Sequence, residues 1–330
     1  MRSLQNHLLA RGTGILPVFH GRDAHATRGV QEPHFNNYVM ITTFACIPCL
    51  ARQAAEVAEM SVADPARREE LVRLLLRGIA DTDWKVSPVR ISQLMQRRVR
   101  EFSGKPDPYR ELKTRMNDAA LELLPALASA AAERPDPHEA AVRLAIAGNL
   151  LDAGSRERLM PEELAEHLAQ IWEQPLVGDV AALFRAAESA QRILYLADNA
   201  GEIVFDKLLV EALPRDRVTL VVRGVPVLND VTHEDAVVAG LHEVAEVIDN
   251  GADAPGTILE ETSPAFRQRF READLIIAKG QGNFETLSEV EAPIYYLLTV
   301  KCPAVGAAIG APVGAMVVKP ASELNRSTSV

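Results

Sequence analysis

Cysteine is scarce in this chain: Cys46, Cys49 and Cys302 are its three among 330 residues. So few exclude a disulfide-rich secreted scaffold. The CIPC pair lacks the second CxxC that would complete a four-ligand zinc site. It runs straight into the helical pattern ACIPCLARQAAEVAEM, whereas a thioredoxin-type dithiol follows a strand, so structural or site-adjacent cysteines are expected rather than a redox pair. Basic charge is in deficit: 35 Lys and Arg face 45 Asp and Glu, for a net charge of −10 and a pI near 5.4. That argues against a nucleic-acid partner bound through a broad basic surface and leaves room for a local pocket that takes a phosphorylated small molecule. Long apolar runs are missing, since the stretches near 123–132 and 304–318 are short or broken by Gly and Pro, and no membrane segment is expected. Internal repeats are absent too. Cytoplasm is the default compartment, and oligomeric state is not legible.

What is present divides by texture. Residues 1–39 follow neither regular period and lack the apolar core of a secretory signal, so they read as a disordered or mis-assigned leader, with Met40 the expected biological start. Residues 40–190 read as an α-helical domain, with helices expected at 47–60, 65–79, 87–101, 108–132, 137–152, 161–171 and 178–188. Residues 191–330 alternate short β-rich runs, RILYLA, RVTLVV, VAEVID, DLIIA, IYYLLTV and GAMVVK, with helical segments. Such alternation predicts parallel strands joined by crossover helices.

Three strand-to-helix junctions carry the candidate chemistry. In LYLADNAGEIVFDKLLVEAL, the strand ends at Ala197, and Ile203, Val204, Leu208, Leu209 and Leu213 recur at helical spacing. Asp198 and Asn199 therefore belong at a strand's C-terminal edge, where ligands bind in open α/β sheets, and a carboxylate beside an amide carbonyl suits a hard divalent cation. RGVPVLNDVTHEDA follows the next strand and adds Asn229 and Asp230, with Thr232 as a helix cap. His233 is a loop histidine with a solvent-exposed or capping role. Taken singly, Asp198 and Asp230 are equally readable as turn formers or caps. In KGQGNFETL, Gly280 and Gly282 would let backbone N–H groups of the 279–283 loop approach an anion while Lys279 supplies a point charge. The stretch is neither a Walker A loop nor GxGxxG, and Glu285 is read as a helix-start carboxylate without a catalytic role. Together the three junctions hold the inventory for a metal and a phosphoryl group in one crevice.

DNAGEIVFD at 198–206, GVPVLNDVTHEDA at 224–236 and KGQGNFETL at 279–287 resemble the signatures of the domain of unknown function 89 family, the metal-dependent damage-control phosphatases. ACIPCLARQA, DPYRELKTRMN, AIAGNLLDAGS and LLTVKCPAVG extend the resemblance, in order, from about residue 43 to 319, and the CxxC start makes the chain most similar to the microbial branch that carries it. The family includes proteins named as acidic residue methyltransferases. The resemblance implies a Rossmann-like three-layer α/β/α core with an N-terminal α-helical domain, and a divalent metal (Mn, Co, Ni or Mg) held by Asp198, Asn199 and Asp230. It also implies phosphate contact by Lys279, with Gly280, Gly282 and Asn283 beside it, and an approach of Asn149 and Asp152 from the helical half. The last two are equally readable as helix-end packing and capping.

The expected function is a metal-dependent phosphomonoester hydrolase acting on a small phosphorylated metabolite, a sugar phosphate or a damaged phosphometabolite. Water or an Asp nucleophile would serve, although DNAGE lacks the second Asp of the haloacid-dehalogenase pattern DxDx[TV]. Two other classes compete. One is carboxyl methyl transfer from S-adenosylmethionine, and the other is metal or metabolite binding without turnover.

Overall fold

Three helices of the first half, α2 (Pro65–Asp81), α3 (Pro88–Ser103) and α5 (Pro137–Ala147), start where a capping side chain precedes a proline, which lacks the N–H that the first turn cannot use. Asp64 accepts the Arg67 N–H ahead of α2, Ser87 that of Arg90 ahead of α3, and Asp136 those of His138 and Glu139 ahead of α5. α1 (Ile47–Ser61) begins at Cys46 with Pro48 in its first turn, and α4 spans Arg110–Ala132. The computed structural model of the chain describes residues 40–148 and 170–324. The expected helix at 137–152 is therefore described to Ala147, and most of 161–171, like the leader 1–39, lies outside the described residues.

Among the described residues seven strands make one sheet in the order β1-β7-β6-β5-β2-β3-β4, and the central run β6-β5-β2-β3-β4 is parallel as expected. These are β1 (Leu176–Gly178), β2 (Ile193–Leu196), β3 (Val218–Val222), β4 (Glu246–Asp249), β5 (Leu275–Lys279), β6 (Ile294–Thr299) and β7 (Met316–Pro320). Two strands depart from expectation. β7 runs antiparallel to β6: around the seven-residue helix α11 (Pro303–Ile309) the link folds back on itself, the Val300 N–H donating to the Ala315 carbonyl at 3.0 Å and the Gly314 N–H to that of Val300 at 2.8 Å. β1 pairs with β7 at the sheet edge, and its three residues are too few to show a period.

Side chains of the buried strands alternate between two apolar layers. Ile193 and Tyr195 of β2 join the cluster formed with α4, α5, α6 (Val180–Ser189) and α7 (Glu202–Ala212). Leu194 and Leu196 join the opposite cluster, with Phe266 and Phe270 of α9 (Pro264–Glu272) and Phe284 of α10 (Gly280–Leu287). The result is the three-layer α/β/α core. The helical stretch divides between bodies: α1 to α3 enclose their own cluster around Leu71, Leu75 and Ile91, whereas α4 and α5 belong to one layer of the core.

Ions hold α1 to α3 against that core. Asp253, in the segment after β4, accepts Arg97 Nη2 at 2.6 Å and Gln93 Nε2 at 2.8 Å and also pairs with Arg100. Glu261 accepts Arg97 and pairs with Arg90. Helix α3 thus overhangs the C-terminal edge of the sheet.

Candidate active site

From β2 the chain steps outward through β3 to β4, then returns to the other side of β2 as β5. The two outgoing loops diverge at that reversal and leave a crevice between them, which is where open α/β sheets bind ligands. Asp198 and Asn199 leave β2 at this point. The Val231 N–H donates to the Asp198 carbonyl at 2.9 Å and the Ala200 N–H to that of Asn229 at 2.9 Å, so a single antiparallel bridge sets Asn199 beside Asp230. Arg223, at the end of β3, donates Nε to Asp230 Oδ2 at 2.7 Å, with both side chains almost fully buried. Between them Leu228 is held at φ +46°, a strained backbone for a bulky residue, and its side chain packs against α1 to α3. Thr232 caps α8 (His233–Val238) as expected, the Asp235 carboxylate accepting its N–H at 2.8 Å. His233 is exposed.

β5 contributes closeness rather than charge. Gly280 adopts φ +77°, and a Cβ there would lie 1.8 Å from Asp198 Oδ2, so only glycine admits that carboxylate. Gly282 likewise faces Pro255, whose carbonyl oxygen would stand 2.3 Å from an added Cβ. The expected 279–283 loop is in fact the start of helix α10.

Asp198, Asn199 and Asp230 line a cleft of about 920 Å³ between the sheet edge and α1, α3 and α4. Its other walls carry Lys301, Arg52, Arg115, Gln53, Ser92 and Tyr109. Cys46, Cys49 and Cys302 also face it, which makes the cysteines site-adjacent. Cys46 and Cys49 sit at the start of α1, and Arg52 approaches Cys49 Sγ at 3.6 Å.

Carboxyls crowd this edge. Burial pushes Asp230 up to about 7 although Arg223 opposes it, and the neighbouring charge of Asp198 adds to the rise. Glu202, the last residue of DNAGE, is fully buried; burial drives its carboxyl to about 8 against Lys279, with Asp198 and Asp206 adding their repulsion. Among the described residues no group of three or more His, Cys, Asp and Glu is disposed to hold a metal ion. The set here differs in combining two carboxylates with an amide. Asn199 Nδ2 donates to Asp198 Oδ2 at 2.7 Å and approaches Glu202 Oε2 at 3.5 Å, so the nitrogen end of the amide is turned toward the acids. Two buried acids that repel each other, joined by an amide, make an all-oxygen donor set that fits a hard divalent ion and relieves that repulsion.

The structure corrects the expectation for Lys279. Its ammonium is fully buried behind the cleft, donating to Glu202 Oε1 at 2.5 Å, Asp206 Oδ1 at 2.7 Å and the Ala145 carbonyl of α5 at 2.6 Å. Burial opposes the charge, but Asp206 and Glu202 hold the group protonated. With three acceptors in place it braces the site instead of meeting a phosphate. Lys279 is the last residue of β5, and its side chain goes to the face covered by α5 and α7, one residue short of the crevice. Asn283 is also turned inward, accepting Thr257 Oγ1 at 2.8 Å and donating to the Lys279 carbonyl at 2.8 Å. Gly280 is buried under Asp198, and of this group Gly282 lines the cleft. Asn149 and Asp152 lie outside the described residues. Glu285 is corrected too: it is the sixth residue of α10, not its start, and it faces the cleft.

Sequence reasoning missed Lys301, Arg223 and the role of Glu202. Lys301 had a signal available, since it follows IYYLLTV at the same sheet edge as the other junctions.

The family profile for the damage-control phosphatase ARMT1-like domain matches residues 42–317. A damage-control phosphatase of Archaeoglobus fulgidus is 36% identical over 282 residues, covering 83% of this chain and 97% of that protein. Damage-control phosphatase PH1575 of Pyrococcus horikoshii is 34% identical over 284 residues, covering 84% and 97%. An uncharacterized protein of Methanocaldococcus jannaschii, MJ0202, is 35% identical over 284 residues, covering 82% and 92%. The crystal structure of PH1575, described as a DUF89 family protein, superposes with a TM-score of 0.77 at 33% identity, covering 85% of this chain and 99% of that one. The chain belongs to the damage-control phosphatase ARMT1-like (DUF89) family.

Proposed function

We propose that this protein is a divalent-metal-dependent phosphatase that hydrolyses small phosphorylated metabolites, sugar phosphates or damaged phosphometabolites among them. The observation that carries the reading is the meeting of Asp198, Asn199 and Asp230 at the reversal of strand order, within a cleft that also presents Lys301. The relatives named as damage-control phosphatases support it. Asp198, Asn199 and Asp230 would hold the ion (Mn, Co, Ni or Mg), which when bound supplies a Lewis acid for the phosphoryl oxygens and acidifies water. Arg223 aims the Asp230 carboxylate through its 2.7 Å hydrogen bond. Glu202, clamped by Lys279, keeps the Asn199 amide turned. Lys301 takes the phosphate-facing role that Lys279 cannot fill, stabilising charge that spreads over the transferring phosphoryl group. Arg52, Arg115, Gln53 and Ser92 line the part of the cleft left for the remainder of the metabolite. The helical overhang sets its size.

The test is phosphate release from a panel of sugar phosphates and p-nitrophenyl phosphate, using chelated protein with each divalent metal restored. Metal-restored turnover that falls about 100-fold or more in Asp198→Ala is expected. Metal binding without turnover on any compound would overturn the reading and favour methyl transfer or a binding module.

A further inference from the structure

Hydrolysis of a sugar phosphate expels an alkoxide, a poor leaving group that needs a proton as the P–O bond breaks. The cleft carries one buried carboxyl not yet given a part. Glu285 is 8% exposed and lines the same cleft as Asp198, Asn199 and Asp230. Its Oε1 accepts Gln281 Nε2 at 2.7 Å. Gln281 is itself fixed, its Oε1 accepting the Lys301 N–H at 3.3 Å and its Nε2 reaching Cys302 Sγ at 3.9 Å. Glu285 is thereby aimed by α10 and by the end of β6 together, within electrostatic range of Asp198 and Lys301. Burial raises its carboxyl to about 7, Gln281 opposing and Asp198 reinforcing, which is suited to giving up a proton near neutral pH. Among the described residues the other glutamates facing the cleft are Glu56 and Glu59 on α1; Glu59 is exposed and Glu56 only half-buried. Among the described residues no histidine lines it.

We propose that Glu285 is the general acid that protonates the leaving oxygen, a role that rests on the phosphatase reading above. As the bond from water oxygen to phosphorus forms and the bond from phosphorus to the leaving oxygen breaks, the Glu285 proton passes to that oxygen and the alcohol departs. The proton shed by the attacking water goes to solvent and restores the glutamic acid, so the sum is phosphomonoester plus water giving alcohol plus inorganic phosphate.

The test compares a hexose phosphate with p-nitrophenyl phosphate, whose leaving group needs no proton, at saturating metal in wild type, Glu285→Gln and Glu285→Asp. General acid catalysis contributes about 100- to 10,000-fold, so the ratio of kcat on hexose phosphate to kcat on p-nitrophenyl phosphate should fall at least about 100-fold in Glu285→Gln. Glu285→Asp should recover part of that ratio, and it also carries the test if the Gln variant fails to fold. An unchanged ratio in a folded variant, whether both rates drop together or neither does, would overturn the assignment. Absence of wild-type turnover on both substrates would instead overturn the phosphatase reading and the general acid with it.

Discussion

At the C-terminal ends of the strands, Glu202, Asp230 and Glu285 are buried and pushed up to about 8, 7 and 7. At the N-terminal ends of the same strands, Glu246 is half-exposed in the grip of Arg269, whose hydrogen bonds hold it below the ordinary carboxylate range. A second cavity, of about 410 Å³, lies at that lower edge, lined by Arg192, Arg217 and Arg269. Its arginines are already engaged: Arg217 with the Glu188 and Ala190 carbonyls, Arg192 with Asp274, and Arg269 with Glu246. Scaffold charges are paired where water screens them. The upper edge instead keeps acids close together out of water, a costly arrangement that the proposed cation would relieve.

The largest break in this contrast is expected from Glu202→Ala. It leaves the buried Lys279 ammonium one carboxylate short, and denaturant unfolding should report a loss of about 3–5 kcal/mol. A loss under about 1 kcal/mol would mean that Asp206 alone satisfies the lysine.

Metal binding should sharpen the contrast through pH. Asp230 and Glu202 have folded values above their unfolded ones, so the metal-free folded state holds protons that the unfolded chain releases, and its stability falls as pH rises from about 4 toward 8. A divalent ion held by Asp198, Asn199 and Asp230, as proposed, would take the place of the proton on Asp230. The rise in Tm on adding Mn²⁺ is therefore expected to grow from pH 5 to pH 8, reaching about 2.7 kcal/mol of stabilisation at a hundredfold excess over Kd. A pH-independent rise would contradict the assignment of ligands.

The ionic clamp on α3 is expected to respond in the opposite sense. Burial alone would raise Asp253, yet Arg97, Gln93 and Arg100 hold it down to about 2. Its folded value is below the unfolded one, so its stabilisation is complete above about pH 4 and is lost as pH falls through 2. Asp253→Ala should lower stability by about 2 kcal/mol at pH 7 and flatten that acid limb. The smallest effect is expected at the lower edge, where Glu246→Ala should change stability by less than about 0.5 kcal/mol by thermal melting.

Much of the fold was legible. The Asp-Pro and Ser-Pro starts located the helices at Pro65, Pro88 and Pro137 within a residue or two, and six strands coincide with the β-rich runs. The three-residue β1 and the direction of β7 were not legible, because one is too short for a period and the other depends on where its link can reach. At the site, the placing of Asp198, Asn199 and Asp230 at strand ends was readable from texture. The direction of the Lys279 side chain was not, since a residue at the last position of a strand faces the crevice or the helical layer according to pleat.

The sequence by itself determined which residues end strands and begin helices, because capping, proline and periodicity act over a few neighbours. Only the tertiary structure decided that Lys279 braces from behind, that Lys301 and Glu285 face the cleft, and that Gly280 seats Asp198. Those outcomes depend on which strands become neighbours at the β2–β5 reversal and on what α3 and α5 cover, and such contacts join residues 73 to 171 positions apart.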